Sequence, residues 1–122
     1  MDRTTDAVAV RASLVLTTAY VATTGVPMTV YGKIGIFFDF TIGSLTSMEA
    51  KVQLSDVDSP GASDWYDLLD NDGTALEPEI ATATGLFYWT PEPIITAKQA
   101  RVMVKGTGTV TSSLLAVEVC QS

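Results

Sequence analysis

Almost all the side chains here that could do chemistry are carboxylates. Asp56, Asp58, Asp64, Asp67, Asp70, Asp72, Glu77, Glu79 and Glu92 lie between Lys51 and Lys98, an interval with no Lys or Arg inside it. Two carboxylates can hydrolyse a glycoside when a cleft holds them and burial raises the pKa of one. Most of these acids fall instead in turn-forming sequence, where water keeps a carboxyl ordinary, so no acid–base pair is expected. The chain has no histidine, which removes Ser-His-Asp and Cys-His catalysis and the common zinc sites. Its single cysteine, Cys120, has no disulfide partner and no imidazole to activate it. Alternating with Val117, Val119 and Gln121, it reads as a small side chain at the end of the last strand.

Oxygen ligands for calcium are present in Asp56-Val-Asp58 and Asp70-Asn-Asp-Gly73. Neither matches the spacing of an EF-hand loop, which requires glycine at the sixth position and glutamate at the twelfth, and ordinary Asx turns account for both. Trp65, Tyr66, Phe87, Tyr88 and Trp89 could stack on a sugar, although in a small β-domain such rings more often serve a core or a subunit interface. Gly106-Thr-Gly108 lacks the third glycine and following helix of a dinucleotide site and reads as a turn. The sequence therefore assigns no catalytic, cofactor-binding or metal-binding residue, and the chain is expected not to be an enzyme.

Fourteen acidic against seven basic residues give a net charge of −7, a surface that repels phosphate backbones and argues against a nucleic-acid partner. No apolar run approaches the roughly 20 residues of a membrane span, and Asp2, Arg3 and Asp6 precede no signal-peptide core. Synthesis as a cytosolic protein without membrane contact is the expectation, with the final location left open.

The elements that carry these residues read as strands. The length of 122 residues suits one domain, and abundant Thr and Val favour sheet over helix. Residues 1–12 are expected to form a mobile arm or a weakly attached first strand. Within them Ala7-Val-Ala-Val10, flanked by Asp2, Arg3, Asp6 and Arg11, is an apolar run that could join its own sheet or be donated to a partner. Residues 13–122 are expected to form the sandwich domain, starting with a strand over Ser13–Tyr20.

In the strongest core candidate, Ile34, Ile36, Phe38, Phe40 and Ile42 share one face. Phe37 stands on the other, free to pack against a partner. Met48, Ala50, Val52 and Leu54 alternate with Glu49, Lys51, Gln53 and Ser55, and a hairpin is expected between these two runs. A polar loop over 56–64 leads to Trp65-Tyr-Asp-Leu68, and Asp70-Asn-Asp-Gly73 is a turn. Leu86–Trp89 is a short aromatic strand ended by Thr90-Pro-Glu-Pro93. One helical turn could fit within Ile94–Arg101. Ala100, Val102 and Val104 mark a penultimate strand, which Gly106–Gly108 turns into a last strand over Val110–Gln121. Seven to eight short strands with regular turn signals predict an all-β fold, an antiparallel β-sandwich or jelly roll.

The strand Ile34–Ile42, Glu49-Ala-Lys-Val-Gln-Leu-Ser55 with its Asp/Ser/Gly loop, Trp65-Tyr-Asp-Leu68, and Arg101-Val-Met-Val-Lys-Gly-Thr-Gly108 leading to Ser113–Val117 together resemble a family of small structural proteins of tailed-phage virions. The resemblance covers residues 30–120 and departs in the loop Ser55–Asp64, which is longer and more acidic than the family's turn. It implies a capsid decoration or cementing protein on the outside of a phage head, localised to the virion. It also implies a homo-oligomer, a trimer as first choice, whose partner is the major capsid protein or another virion protein. A tail, neck or fibre-associated β-module that binds a glycan, or a non-viral carbohydrate-binding module, are the alternatives.

Overall fold

The computed structural model describes residues 4–122, so Asp2 and Arg3 lie outside the described residues. Ten strands follow in order: β1 (Val8–Leu14), β2 (Val21–Ala22), β3 (Val26–Pro27), β4 (Ile34–Thr41), β5 (Leu45–Ser55), β6 (Tyr66–Asp67), β7 (Glu79–Ala81), β8 (Gly85–Trp89), β9 (Gln99–Gly108) and β10 (Leu114–Gln121). They form an antiparallel β-sandwich. The first sheet has the order β1-β10-β4-β8, and the second has β2-β9-β5-β6, with β3 also on β9 and β7 also on β5.

Alternation along each long strand builds the core. Ile34, Ile36, Phe38 and Phe40 of β4 and Leu115, Val117 and Val119 of β10 face Met48, Ala50 and Val52 of β5 and Ala100, Val102 and Val104 of β9, all of them buried. Each large aliphatic or aromatic side chain removed from water contributes about 1.5–3 kcal/mol. The intervening residues look outward, and they define two outer faces of different character.

Four expectations need correction. The runs Ile34–Ile42 and Met48–Leu54 do not form a hairpin, because β4 pairs with β10 and β8 whereas β5 pairs with β9, β6 and β7. Both sheets cover one core, so two alternating runs joined by a tight turn look the same whether they pair or cross between layers. Gly43 makes the crossing: its φ is +56°, and a Cβ there would lie 2.5 Å from the Ser112 carbonyl oxygen.

Gly106 and Gly108 likewise do not turn the chain but lie inside β9, opposite Met48 and Leu45. The passage to β10 is made after them, where Ser113 N donates to Val110 O at 2.9 Å and Ser113 Oγ accepts from Leu16 N at 3.2 Å. No helical turn forms over Ile94–Arg101, and the described residues contain no helix.

Of the two readings of residues 1–12, arm and first strand, the described residues show the strand. The described part of the 1–12 segment is continuous with the sandwich: β1 pairs with β10, and Val10 is only 6% exposed. Thr5 closes this end, its N donating to Gln121 O and its Oγ1 accepting from Gln121 N. The strand expected over Ser13–Tyr20 therefore ends at Leu14, after which Leu16 dips into the core.

Candidate functional site: the outer faces of the two sheets

The outer face of the first sheet is apolar. Strand register places Glu118, Phe37 and Tyr88 in one row across β10, β4 and β8, and Ala116, Asp39 and Leu86 in the next. Phe37 and Tyr88 are tilted against each other with ring centroids 4.9 Å apart, a cross-strand aromatic pair of the kind that stabilises sheets. The Tyr88 ring also leans over Gly35, where a Cβ would come within 3.0 Å of it. Leu86 is 81% exposed, Tyr88 59% and Phe37 42%. Leu86 and Phe37 line an open groove of about 450 Å³ whose wall includes Phe87, Ala116 and Cys120, with Asp39 and Glu118 as its acidic members.

The outer face of the second sheet is a closed network of charge and ring. The Arg101 guanidinium lies 4.2 Å from the Trp65 ring centre and donates to Gln53 Oε1 at 2.7 and 3.0 Å. That fixes the Gln53 amide, whose Nε2 then donates to Asp67 Oδ1 at 2.9 Å. Lys51 Nζ lies 3.2 Å from Asp67 and 3.8 Å from Glu77. Lys51 and Lys105 stand 4.7 and 4.8 Å from the centre of the Tyr20 ring, within cation–π range. The Gln53 hydrogen bond, and with it Lys51, holds the Asp67 carboxyl below its usual range. Burial, then the charges of Glu77 and Glu49, pushes the Tyr20 phenol up to about 12.

The five rings weighed as a sugar platform are not brought together. Trp65 and Tyr66 belong to the second sheet, Phe87 and Trp89 pack against the core, and Tyr88 alone of the β8 rings faces out on the first sheet. The aspartates build turns. Asp70 Oδ1 accepts from Asn71 N at 2.9 Å, Asp72 Oδ1 from Thr74 N at 3.0 Å, and Asp64 Oδ2 from Gly61 N at 2.7 Å, while Asp58 lies 3.6 Å from Lys98. No group of three or more potential ligands is gathered for a metal among the described residues. Cys120 is a free, half-buried thiol near the end of β10, facing Gly35. Sequence reasoning singled out Phe37 and the β8 rings but missed Leu86, Asp39 and Glu118, whose one signal is that each alternates with the inward-facing residues of its strand.

No family model matches the chain, and no curated protein matches it. Among solved structures it is similar to the SPBc2 prophage-derived protein YomS, with TM-score 0.56 and 11% identity over 100% of this chain and 97% of that one. It is similar to the K1 cleaved adhesin domain of Lys-gingipain from Porphyromonas gingivalis W83, with TM-score 0.56 and 15% identity over 84% of this chain. The chain spans 62% of the length of that domain. A CBM4 structure matches with TM-score 0.51 and 12% identity over 93% of this chain and 80% of that one. At these identities the likeness shows the fold, a small two-sheet β-domain that occurs in a prophage-derived protein and in adhesin domains.

Proposed function

We propose that the chain is a non-enzymatic structural protein of a phage virion, a decoration or cementing protein on the outside of the head, and that it docks through the outer face of its first sheet. One observation carries the reading: Phe37, Leu86 and Tyr88 form a contiguous exposed apolar patch, and a soluble domain that keeps such a patch in water has a partner for it. The resemblance of residues 30–120 to virion proteins supports the location, as does likeness to a prophage-derived protein over the whole of both chains. An outward position suits the charge of −7, since an outer protein does not touch packaged DNA. Its proposed partners are the major capsid protein or another virion protein and further copies of itself, a trimer first, with neither nucleic acid nor membrane.

The test is to mix the purified chain with particles that lack it and image the bound sites. Regular density over the capsid surface is the expected outcome, and density confined to the tail overturns the head assignment. A tail, neck or fibre-associated glycan-binding module is the second reading. It is favoured by Tyr66, 63% exposed beside a groove of about 210 Å³ that Asp56 and Thr96 also line, and by the likeness to adhesin and CBM4 domains. Glycan-array binding that Tyr66→Ala abolishes would establish it.

A further inference from the structure

The two edges of the first sheet are built differently. β1 carries two register shifts, between Ala9 and Arg11 and between Arg11 and Leu14. Its Arg11 covers the carbonyls beside it, donating to Leu115 O at 3.1 Å, Leu14 O at 3.3 Å and Val15 O at 3.0 Å. Bulges and a charged residue are what blunt an edge against the addition of another strand. β8 has neither. It pairs with β4 without a shift from Trp89 opposite Ile36 to Gly85 opposite Phe40, and Gly85-Leu-Phe-Tyr-Trp89 contains no charge and no proline. Among the described residues β4 is its only strand partner, and no other backbone hydrogen bond ends on it. One row of its N–H and C=O groups is therefore open to an added strand.

This open edge borders the groove, and the groove holds unmatched charge. Asp39 stands beside Leu86, and Glu118 lies in the row of Phe37 and Tyr88. Neither carboxylate has a hydrogen bond or an ion pair among the described residues, where every ion pair belongs to Lys51 or Lys98 on the second sheet. A strand added to β8 would run about 4.8 Å from it and about twice that from β4. A long cationic side chain opposite Leu86 spans that distance, its methylenes on Leu86 and its charge at Asp39.

We propose that β8 accepts an extended segment of a partner protein as a fifth strand of the first sheet. That segment alternates apolar residues, facing Phe87 and Trp89, with Lys or Arg on the outer face. The partner's identity rests on the reading of this face as the virion docking surface. A second copy pairing through β8 is the poorer occupant, because β8 brings no cation and would set two acidic grooves side by side.

The probe is a short labelled peptide that alternates valine with arginine. Two controls accompany it: the same peptide with N-methyl groups on the amides of one edge, and a valine–glutamate analogue. Binding is followed by anisotropy and by amide shifts of the full chain. The arginine peptide is expected to shift the amides of Gly85–Trp89. Its affinity should fall about tenfold on N-methylation and about tenfold in the Asp39→Asn, Glu118→Gln double variant, with a loss on added salt.

Absence of shifts at those amides, or equal binding of the N-methylated peptide, overturns strand addition. Equal binding of the glutamate analogue overturns the charge assignment, and shifts of β8 amides with protein concentration alone make a second copy the occupant. Particle binding separates this inference from the function it rests on. A double variant that coats particles as the parent does removes the cationic segment and leaves the docking role intact. A parent that binds the peptide but no particle removes the docking role and leaves the strand acceptor.

Discussion

At the scale of single residues, the side chains that matter most for stability and recognition gain their meaning from neighbours far away in the chain. Phe37 could be singled out from sequence because it breaks the apolar face of its own run. Its contact with Tyr88, and the room that Gly35 leaves for that ring, exist only once β4 and β8 are paired. Tyr88→Ala should cost about 1 kcal/mol through loss of the ring pair, read as a lower denaturation midpoint with an unchanged slope. Tyr20 was invisible as a special residue, since Lys51 and Lys105 reach it only by way of β5 and β9. Its phenol, raised to about 12 by burial and by Glu77 and Glu49, stays neutral in the folded chain where an unfolded tyrosine has ionised. The stability that this neutral form contributes is complete below about pH 10 and is lost as the pH rises towards 12. Spectroscopic titration of the four tyrosines should show a late step that Tyr20→Phe removes, and an unchanged curve in that variant would assign the step elsewhere.

Strands and turns were legible where their signal is local. The alternation in β4, β9 and β10, and in β5 as far as Val52, gave their inward faces correctly, whereas at the end of β5 Leu54 is half-buried and Ser55 buried; Asp70–Gly73 is the turn its residue types require, with Gly73 at φ +84°. Pairing is not local, and there the sequence misled: the tight link at Gly43 joins strands of opposite sheets. That link makes a sharp prediction. In Gly43→Ala the residue would be held at φ +56° with its Cβ 2.5 Å from Ser112 O, a combination of backbone strain and collision that costs roughly 2 kcal/mol or more. A substantial fall in melting temperature is expected, and parental stability would mean that the crossing has another conformation.

The N-terminal segment is the other lesson at this scale. Its short apolar run fits an arm and an edge strand equally well, and what decides is Val10 in the core and Thr5 bonded to Gln121. Deleting residues 1–12 should therefore lower the melting temperature and expose β10. A truncated chain as stable as the parent that merely failed to assemble would restore the arm.

Across the whole molecule, composition gave the sign of the charge, and the structure shows how the cations are used. Arg11 covers edge carbonyls, Lys33 donates to Pro91 O and Glu92 O, and Lys51, Lys98 and Arg101 engage Asp67, Asp58 and Gln53. Lys105 stands over Tyr20. Each described Lys or Arg thus has an intramolecular partner, whereas Asp39 and Glu118 on the apolar face have none among the described residues. With a net charge of −7 in addition, the described residues leave no Lys or Arg without an intramolecular partner for a phosphate backbone but do offer carboxylates to a cationic partner. The two consequences can be measured together. The chain should pass unretained through immobilised DNA at about 0.15 M salt, and the proposed attachment to particles should weaken as salt rises, because screening acts on the exposed carboxylates it would use. Retention on DNA that is eluted by salt would mean that basic side chains are released from these contacts, and attachment indifferent to salt would leave the apolar patch alone to hold the partner.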